Sequence, residues 1–513
     1  MSAAIDTRIR ELAARYRPLA MDLLREAIAI PAAHPRADGD PVVGLSNHEG
    51  PRLERLRARL VEHGCVARAE DAFFDDFGNL VWRVERADDP TPAADKLVVL
   101  MEGHTDTVRS LAGQWRAKIG AGMDAFLGLT DEAAIDAAFI ERELGHVPPR
   151  DEWQHLIFGR GSADQLGGVI CQMVATKILL ELAGEGALDG VVVYGMGTVA
   201  EEDNDGGGPM YLLRSLGKPG AVPAPHVVVL TEGTGDAHKG ALGIYRGQRG
   251  RMQIEVDVTG KSCHGSMPWE GLNPLEFGAA ILVEARAQYE AGDTFADDAF
   301  LGAGSRTASW AKLDTPSDCA VPERFTFRFD RRLTSGEDPE AARRAVEDLP
   351  AVAKARAAGL TVAVRVPTYD EPTWRGHVLG NEAIYPGWTT PEDHPAIQAA
   401  VASYEAVVAP AVTEREDTRG GGSRSRRVRV DRWIFSTDGV GYQLPTDGEV
   451  AVPEGRGWLV EGRFAHPPML GFGPGIEQNT HKVGECVDSR ELESVSAFLA
   501  RFPSFFRQLK APG

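Results

Sequence analysis

The 513-residue chain is poor in cysteine and has no excess of positive charge. Its five cysteines, Cys65, Cys171, Cys263, Cys319 and Cys486, are scattered, with no C-x-x-C pair among them. A chain this long needs no disulfide staples, so reduced thiols in a cytoplasmic protein are expected. Basic side chains number 55 against 75 acidic ones, a formal net charge of −20. That balance argues against broad, nonspecific binding to nucleic acid or anionic membranes, since phosphate surfaces call for positive faces. The opening residues, MSAAIDTRIRELAARYRPLAMDLL, lack the apolar block of a secretory signal. The most apolar helical stretch, Leu166 to Leu182, carries Gln172, Thr176, Lys177 and Glu181 and is too polar to span a bilayer. No internal repeat or long low-complexity tract is present.

What remains is ordinary globular composition, 43% hydrophobic and 25% charged. Apolar spacing predicts helices over residues 5–30 and 51–63. Short apolar strands then alternate with helices: a strand Leu97–Met101, a helix Gly168–Leu182, and strands Val191–Val199 and His226–Leu230. Such alternation predicts βαβ units and a mainly parallel sheet. Near Gly247 the texture changes. Arg251–Val258 alternates with period two, and a helix Pro274–Tyr289, strands Ala308–Leu313 and Phe325–Phe329, a helix Pro339–Ala358 and a strand Thr361–Val366 follow. This order predicts a ferredoxin-like α+β domain inserted into the first. The expected division is a catalytic domain in two parts, 1–246 and 371–513, interrupted by a lid domain over 247–370.

Four polar motifs fall where predicted strands end or just beyond. Gly103-His104-Thr105-Asp106 follows the first strand, and residues i and i+2 of an extended chain point the same way. His104 can then meet a metal while Asp106 orients it; a polar loop with one stray histidine is the alternative. Gly159-Arg-Gly-Ser-Ala-Asp164 precedes a helix, where Asp164 is either a functional carboxylate or an N-cap. Its glycine spacing fits neither common phosphate-binding loop. Glu201-Glu202-Asp203-Asn204-Asp205 closes the strand Val191–Val199 with four carboxylates in five positions, which repel unless solvated or bridged by cations. Thr231-Glu232-Gly233 offers a further carboxylate at the same edge. In open α/β sheets ligands bind beyond the carboxyl ends of the strands, so His104, Asp164, Glu202 and Glu232 are expected to converge there.

These motifs, in this order and with a late His481, resemble the dinuclear zinc aminoacylase/carboxypeptidase family, which includes acetylornithine deacetylase and succinyl-diaminopimelate desuccinylase. The stretches VAEEDNDG and WIFSTDGVG resemble its selenium-metabolism hydrolase branch. The resemblance covers almost the whole chain. It implies two divalent ions, zinc or alternatively cobalt or manganese, bridged by Asp164. His104 and Glu232 would complete one site, and Glu202 and His481 the other. Glu201 would be the general base, taking a proton from the attacking water and delivering it to the leaving amine. Alone, His481 reads as a loop residue after a glycine turn; the resemblance makes it a ligand. Within the insert, Gly260-Lys-Ser-Cys-His264-Gly-Ser-Met-Pro268 resembles the family's lid motif, whose histidine reaches the partner subunit's site and stabilises an oxyanion. A homodimer or higher homo-oligomer follows from that. Asn273 is a substrate contact or simply a helix N-cap. Arg332 resembles a clamp for a substrate carboxylate, its alternative being a surface strand arginine.

The chain also departs from the family pattern. Leu166 replaces the usual lysine before the paired glycines, and Cys319 stands where an asparagine is common. Residues 110–156 lengthen the path from His104 to Asp164 and include a predicted helix after Thr130 ending at Gly145; such an insertion is expected to wall the substrate pocket or a subunit interface. Residues 414–432 hold seven arginines, yet acidic neighbours dilute them and no aromatic-rich nucleic-acid motif accompanies them. The expected function is a metallohydrolase, of aminoacylase or metallopeptidase type, cleaving an amide bond in a small carboxylate-bearing substrate such as an N-acyl amino acid or dipeptide. Hydrolysis of a carbamoyl, ureido or amine C–N bond is a second reading, and a non-catalytic metal-stabilised binding or assembly protein a third.

Overall fold

The computed structural model describes residues 3–32, 48–111, 113–115, 136–144, 150–218, 220–240, 242–292, 295–413, 428–442, 444–445 and 464–510. In chain order the first part holds α1 (Ala3–Ala29), β1 (Ala72–Phe74), β2 (Leu80–Val84), β3 (Leu97–His104), α2 (Gly167–Glu181), β4 (Val191–Thr198), α3 (Glu201–Asn204), β5 (Val227–Leu230) and β6 (Ile244–Gln248). The middle part comprises β7 (Gly250–Thr259), α4 (Pro274–Ala291), β8 (Ser305–Asp314), β9 (Arg324–Leu333), α5 (Pro339–Glu347), α6 (Pro350–Ala357) and β10 (Thr361–Arg365). Then come β11 (Ile384–Tyr385), β12 (Trp388–Thr389), α7 (Pro395–Ser403), β13 (Val430–Trp433), β14 (Met469–Gly471) and α8 (Ser489–Lys510).

The larger sheet runs β1-β2-β4-β3-β5-β14-β6-β12, with β13 beside β6. Its central block, β4, β3, β5 and β14, is parallel. Strands buried on both faces need apolar residues at every position, which is why the Leu97–Met101 and Val191–Val193 runs do not alternate. On β3, Val99 and Met101 enter one core, beneath the layer in which α1, α2 and α7 pack around α8. Val98 and Leu100 enter a second core with Trp388, Trp433 and Tyr442. Burial of each such side chain contributes about 1.5–3 kcal/mol.

The middle part is a four-stranded antiparallel sheet in the order β8-β9-β7-β10, with β11 added beside β7. Numbered within the domain, that order is 2-3-1-4, the expected ferredoxin-like arrangement. One helix predicted there is two: Pro339–Glu347 and Pro350–Ala357 are separate. Pro350 cannot donate a backbone hydrogen bond, and it pushes Leu349 out of the helical region (φ −59°, ψ 133°). Beyond residue 370 the chain adds β11 to the smaller sheet before β12 joins the larger one. Of the helix expected after Thr130, the described portion is Ala137–Glu143, and Thr130 lies outside the described residues. No helix among the described residues is long and apolar enough to cross a membrane.

Register aligns the strand ends. His104 pairs with Thr198, and Leu230 pairs with both Glu102 and Gly471. Close backbone approach underlies this edge. A Cβ on Gly168, in the first turn of α2, would stand 2.1 Å from the Thr231 carbonyl oxygen. Gly168→Ala is therefore expected to cost about 1–3 kcal/mol through overpacking. Urea unfolding measures it, and unchanged stability would contradict this packing.

Candidate metal centre

His104 closes β3 and is almost fully buried. Two residues on, Asp106 accepts the backbone N–H groups of Glu201 (3.2 Å) and Glu202 (3.0 Å), and its Oδ1 lies 3.4 Å from His104 Nδ1. One carboxylate thus orients an imidazole and also fixes the loop after β4. Thr105 strengthens the junction, its N–H and its hydroxyl both donating to the Thr198 carbonyl.

Asp164 is not an N-cap. Helix α2 begins at Gly167, and its flanking residue Leu166 makes no side-chain cap bond. Asp164 instead departs from helical geometry (φ −119°, ψ 96°) in the preceding turn. Glu485 holds that turn, accepting the N–H groups of Ala163 and Asp164 at 3.1 Å each. The other Glu485 oxygen accepts from Arg160 (2.6 Å), which also reaches the His481 carbonyl at 3.4 Å. The Asp164 carboxylate then faces two ways. Its Oδ1 lies 2.9 Å from His104 Nε2, and its Oδ2 lies 2.9 Å from His481 Nε2.

The remaining carboxylates divide between these ends. Glu232 Oε2 is 3.6 Å from His104 Nε2 and accepts a hydrogen bond from Gln165. Glu202 Oε2 is 3.2 Å from His481 Nε2, while its Oε1 accepts the Val108 N–H at 2.9 Å. Ligand atoms of His104, Asp164 and Glu202 lie within 4.8 Å of one another. Glu201 approaches His104 no closer than 3.8 Å. Both ends of the arrangement sit on unusual backbone: Ala200, just before Glu201, and His481 each have φ 60°. Non-glycine residues in this region persist where surroundings over-determine them, often at functional sites.

The electrostatics favour bound cations. Burial, followed by neighbouring carboxylates, pushes Glu201 and Glu232 well above the usual carboxylate range, with His104 opposing both. Burial also raises Asp164, but hydrogen bonds from His104 and His481 outweigh it and hold Asp164 well below that range. Burial lowers His481, yet Glu202 and Asp164 overcome this and push it up to about 12. Buried carboxylates crowded in this way call for positive charge beside them, which divalent cations can supply. The donors, imidazole nitrogen and carboxylate oxygen, suit zinc, cobalt or manganese.

The structure leaves other predicted residues outside this cluster. His264 is exposed on a short strand pair, opposite Ala320, with its Nδ1 against Ser266. Asn273 caps α4, its Oδ1 accepting the Leu275 N–H at 3.1 Å. Arg332 holds Asp330 through two hydrogen bonds, 2.7 and 3.0 Å, and reaches Ser436 at 3.3 Å. Leu166 is buried core and Cys319 is exposed, its carbonyl accepting the Gly265 N–H. Described parts of the 110–156 insertion (Trp115, Ile140, Leu144, Trp153) pack with Val483 and Cys486, close in sequence to His481. Within the arginine segment, residues 414–427 lie outside the described residues; Arg429 binds the Thr234 and Gly240 carbonyls.

Several supporting groups escaped the sequence reading. Glu102, inside an apolar strand, is pushed up to about 7 by burial and lies against Thr198, whose hydroxyl also meets Asp438. Glu49 accepts the Ala200 N–H, and buried Arg52 donates to the carbonyls of Ala27, Ile30 and Thr105. A charged residue within an otherwise apolar strand was the available signal for Glu102.

A family model for a peptidase dimerisation domain, M20_dimer, matches residues 246–357. The chain is 36% identical over 377 residues to YgeY of Escherichia coli strain K12, an uncharacterized protein, covering 72% of this chain and 79% of that one. The Saccharomyces cerevisiae dipeptidase Dug1p superposes with a TM-score of 0.64 at 13% identity, covering 100% of both chains. Human carnosine dipeptidase 1 does so at 0.60 and 14% identity, covering 98% and 99%. At such identities the superpositions speak to fold.

Because Glu485 holds the Asp164 turn through one oxygen and Arg160 through the other, Glu485→Ala is expected to weaken metal binding about 10–100-fold. Competition with a chelator measures this. Affinity within twofold of the parent would contradict the assignment.

Proposed function

The chain belongs to the M20 metallopeptidase family, and we propose that its centre hydrolyses an amide bond in a small carboxylate-bearing substrate, such as an N-acyl amino acid or dipeptide, with two zinc ions. The observation that carries this reading is the placement of Asp164, whose two oxygens each lie 2.9 Å from a different histidine. A carboxylate so placed is suited to bridging. His104 and Glu232 would hold one ion, and Glu202 and His481 the other.

When bound, the ions supply Lewis acidity toward the scissile carbonyl and make a water acidic enough to ionise near neutrality. The protein's own residues do the rest. Glu201, buried beside His104 without being its close partner, removes the proton from the attacking water and passes it to the leaving nitrogen. Asp106 holds the Glu201 and Glu202 N–H groups, so base and ligand keep their relative positions.

The dimerisation domain supports a homodimer, and five scattered cysteines suit a reducing, cytoplasmic setting. His264 is exposed on that domain and turned to no group of the cluster, which suits donation to an oxyanion in the partner's site. Arg332 would receive the substrate carboxylate, and Asn273 would contact substrate while capping α4.

Glu201→Gln is expected to lower kcat at least 10³-fold while zinc content stays at two per chain. Metal analysis and a panel of N-acetyl, N-succinyl and N-carbamoyl amino acids and dipeptides check this on chelated, then zinc-, cobalt- or manganese-restored protein. Cleavage of only the carbamoyl members would redirect the substrate class, and unchanged turnover in Glu201→Gln would refute the base. Mixing inactive His264→Ala and Glu201→Gln subunits should restore activity; no recovery in mixed dimers would remove His264 from the partner's site.

A further inference from the structure

Helix α3 is one turn long, yet it carries Glu201 and Glu202 at its start and two contacts to the smaller domain at its end. Its first N–H groups are held by Asp106, two residues beyond the end of β3 in the larger sheet. Its last residues face the other way. Asn204 exchanges two hydrogen bonds with Asn381 (3.0 and 2.9 Å) and accepts one from the Tyr385 hydroxyl. Asp205 accepts from Arg251 through one oxygen and from the Ser436 hydroxyl through the other.

These lid contacts form a row. In the smaller sheet Arg332 pairs directly with Arg251, and Arg251 pairs directly with Tyr385. Directly paired residues on neighbouring strands project from the same face. Three adjacent strands, β9, β7 and β11, therefore present Arg332, Arg251 and Tyr385 side by side to the end of α3. Asp330 joins the first two, doubly bonded to Arg332 and 3.4 Å from Arg251 Nε. Asp205 itself has strained backbone, φ 41° and ψ −103°. Such a conformation in a non-glycine residue survives where partners hold it from several sides. Arg251 and Ser436 do so here.

We propose that Asp205 is a positioning residue: held by Arg251, it sets the general-base helix according to the position of the lid sheet. The inference rests on the assignment of Glu201 as base and Arg332 as carboxylate clamp. Asp330 lies between the two arginines, so a substrate carboxylate that competes with it for Arg332 changes the charge that Arg251 meets. The row that recognises substrate is thereby coupled to the anchor of the helix carrying the base. Asp205 is neither one of the proposed metal ligands nor one of the proposed substrate contacts, and it acts through α3.

The test uses the full-length, zinc-loaded protein with Asp205→Asn, Arg251→Met, the double variant and Arg251→Lys. Amide hydrogen exchange at residues 201–205 should accelerate at least tenfold in Arg251→Met, with β3 and β4 unchanged. On the best-cleaved carboxylate of the substrate panel, kcat should fall 10–100-fold with KM within threefold and zinc content unaltered. The double variant should lose no more than the worse single one, because the pair acts as a unit, and Arg251→Lys should recover part of the loss. The C-terminal amide of the same substrate should lower kcat in the parent more than in the variants. Unchanged exchange at 201–205, losses that multiply in the double variant, a rise in KM alone, equal sensitivity to the amide in parent and variants, or loss of zinc would each overturn the proposal. Should Asp205→Asn not fold, Arg251→Met carries the test. If no panel compound is cleaved, the hydrolase reading fails, whereas the exchange measurement still decides this one.

Discussion

Four carboxylates, Asp164, Glu201, Glu202 and Glu232, crowd around two imidazoles at one edge of a buried sheet, and this crowding is the constraint on which the structure turns. Buried like charges cannot all ionise without compensation. Protons on histidine and carboxyl groups provide one form of compensation; divalent cations provide a better one. The surrounding structure keeps the ligand atoms close despite their repulsion. Asp106, Glu485 and Gln165 each spend hydrogen bonds on holding a loop or ligand rather than on facing the centre.

The parallel sheet makes that arrangement practicable. Strands β3, β4 and β5 end in register, so residues from three distant stretches meet with little loop between strand and site. The turn bearing Asp164 and the loop bearing His481 come from outside those strands. The buried Arg160–Glu485 pair holds both, joining residues 325 positions apart. On the opposite side α3 meets the smaller domain through Asp205 and Asn204. Helix α3, which carries Glu201, is therefore fixed at its start by Asp106 and at its end by the smaller sheet.

Much of this was legible in the sequence, for identifiable reasons. Doubly buried strands write themselves as unbroken apolar runs, and period-two alternation marked β7. His104, Asp164, Glu202 and Glu232 could be grouped because each follows a predicted strand or precedes a helix at one edge. Supporting partners were harder to see. Thr198 and Asp438 are 240 positions apart, and nothing local in either stretch announces their contact. Arg332 and Asn273 could be picked out by residue type, but their contacts to Asp330 and to the first turn of α4 could not be read from the sequence around them. The single helix expected over Pro339–Ala358 breaks at Leu349-Pro350, where local backbone chemistry outranks the apolar spacing on which that expectation rested.

The central claim is a pair of cations bridged by Asp164. Anomalous diffraction from zinc-loaded crystals at the zinc absorption edge tests it most directly. The account predicts two peaks on either side of the Asp164 carboxylate, one beside His104 and Glu232 and the other beside His481 and Glu202. A single peak, or peaks away from Asp164, would contradict it.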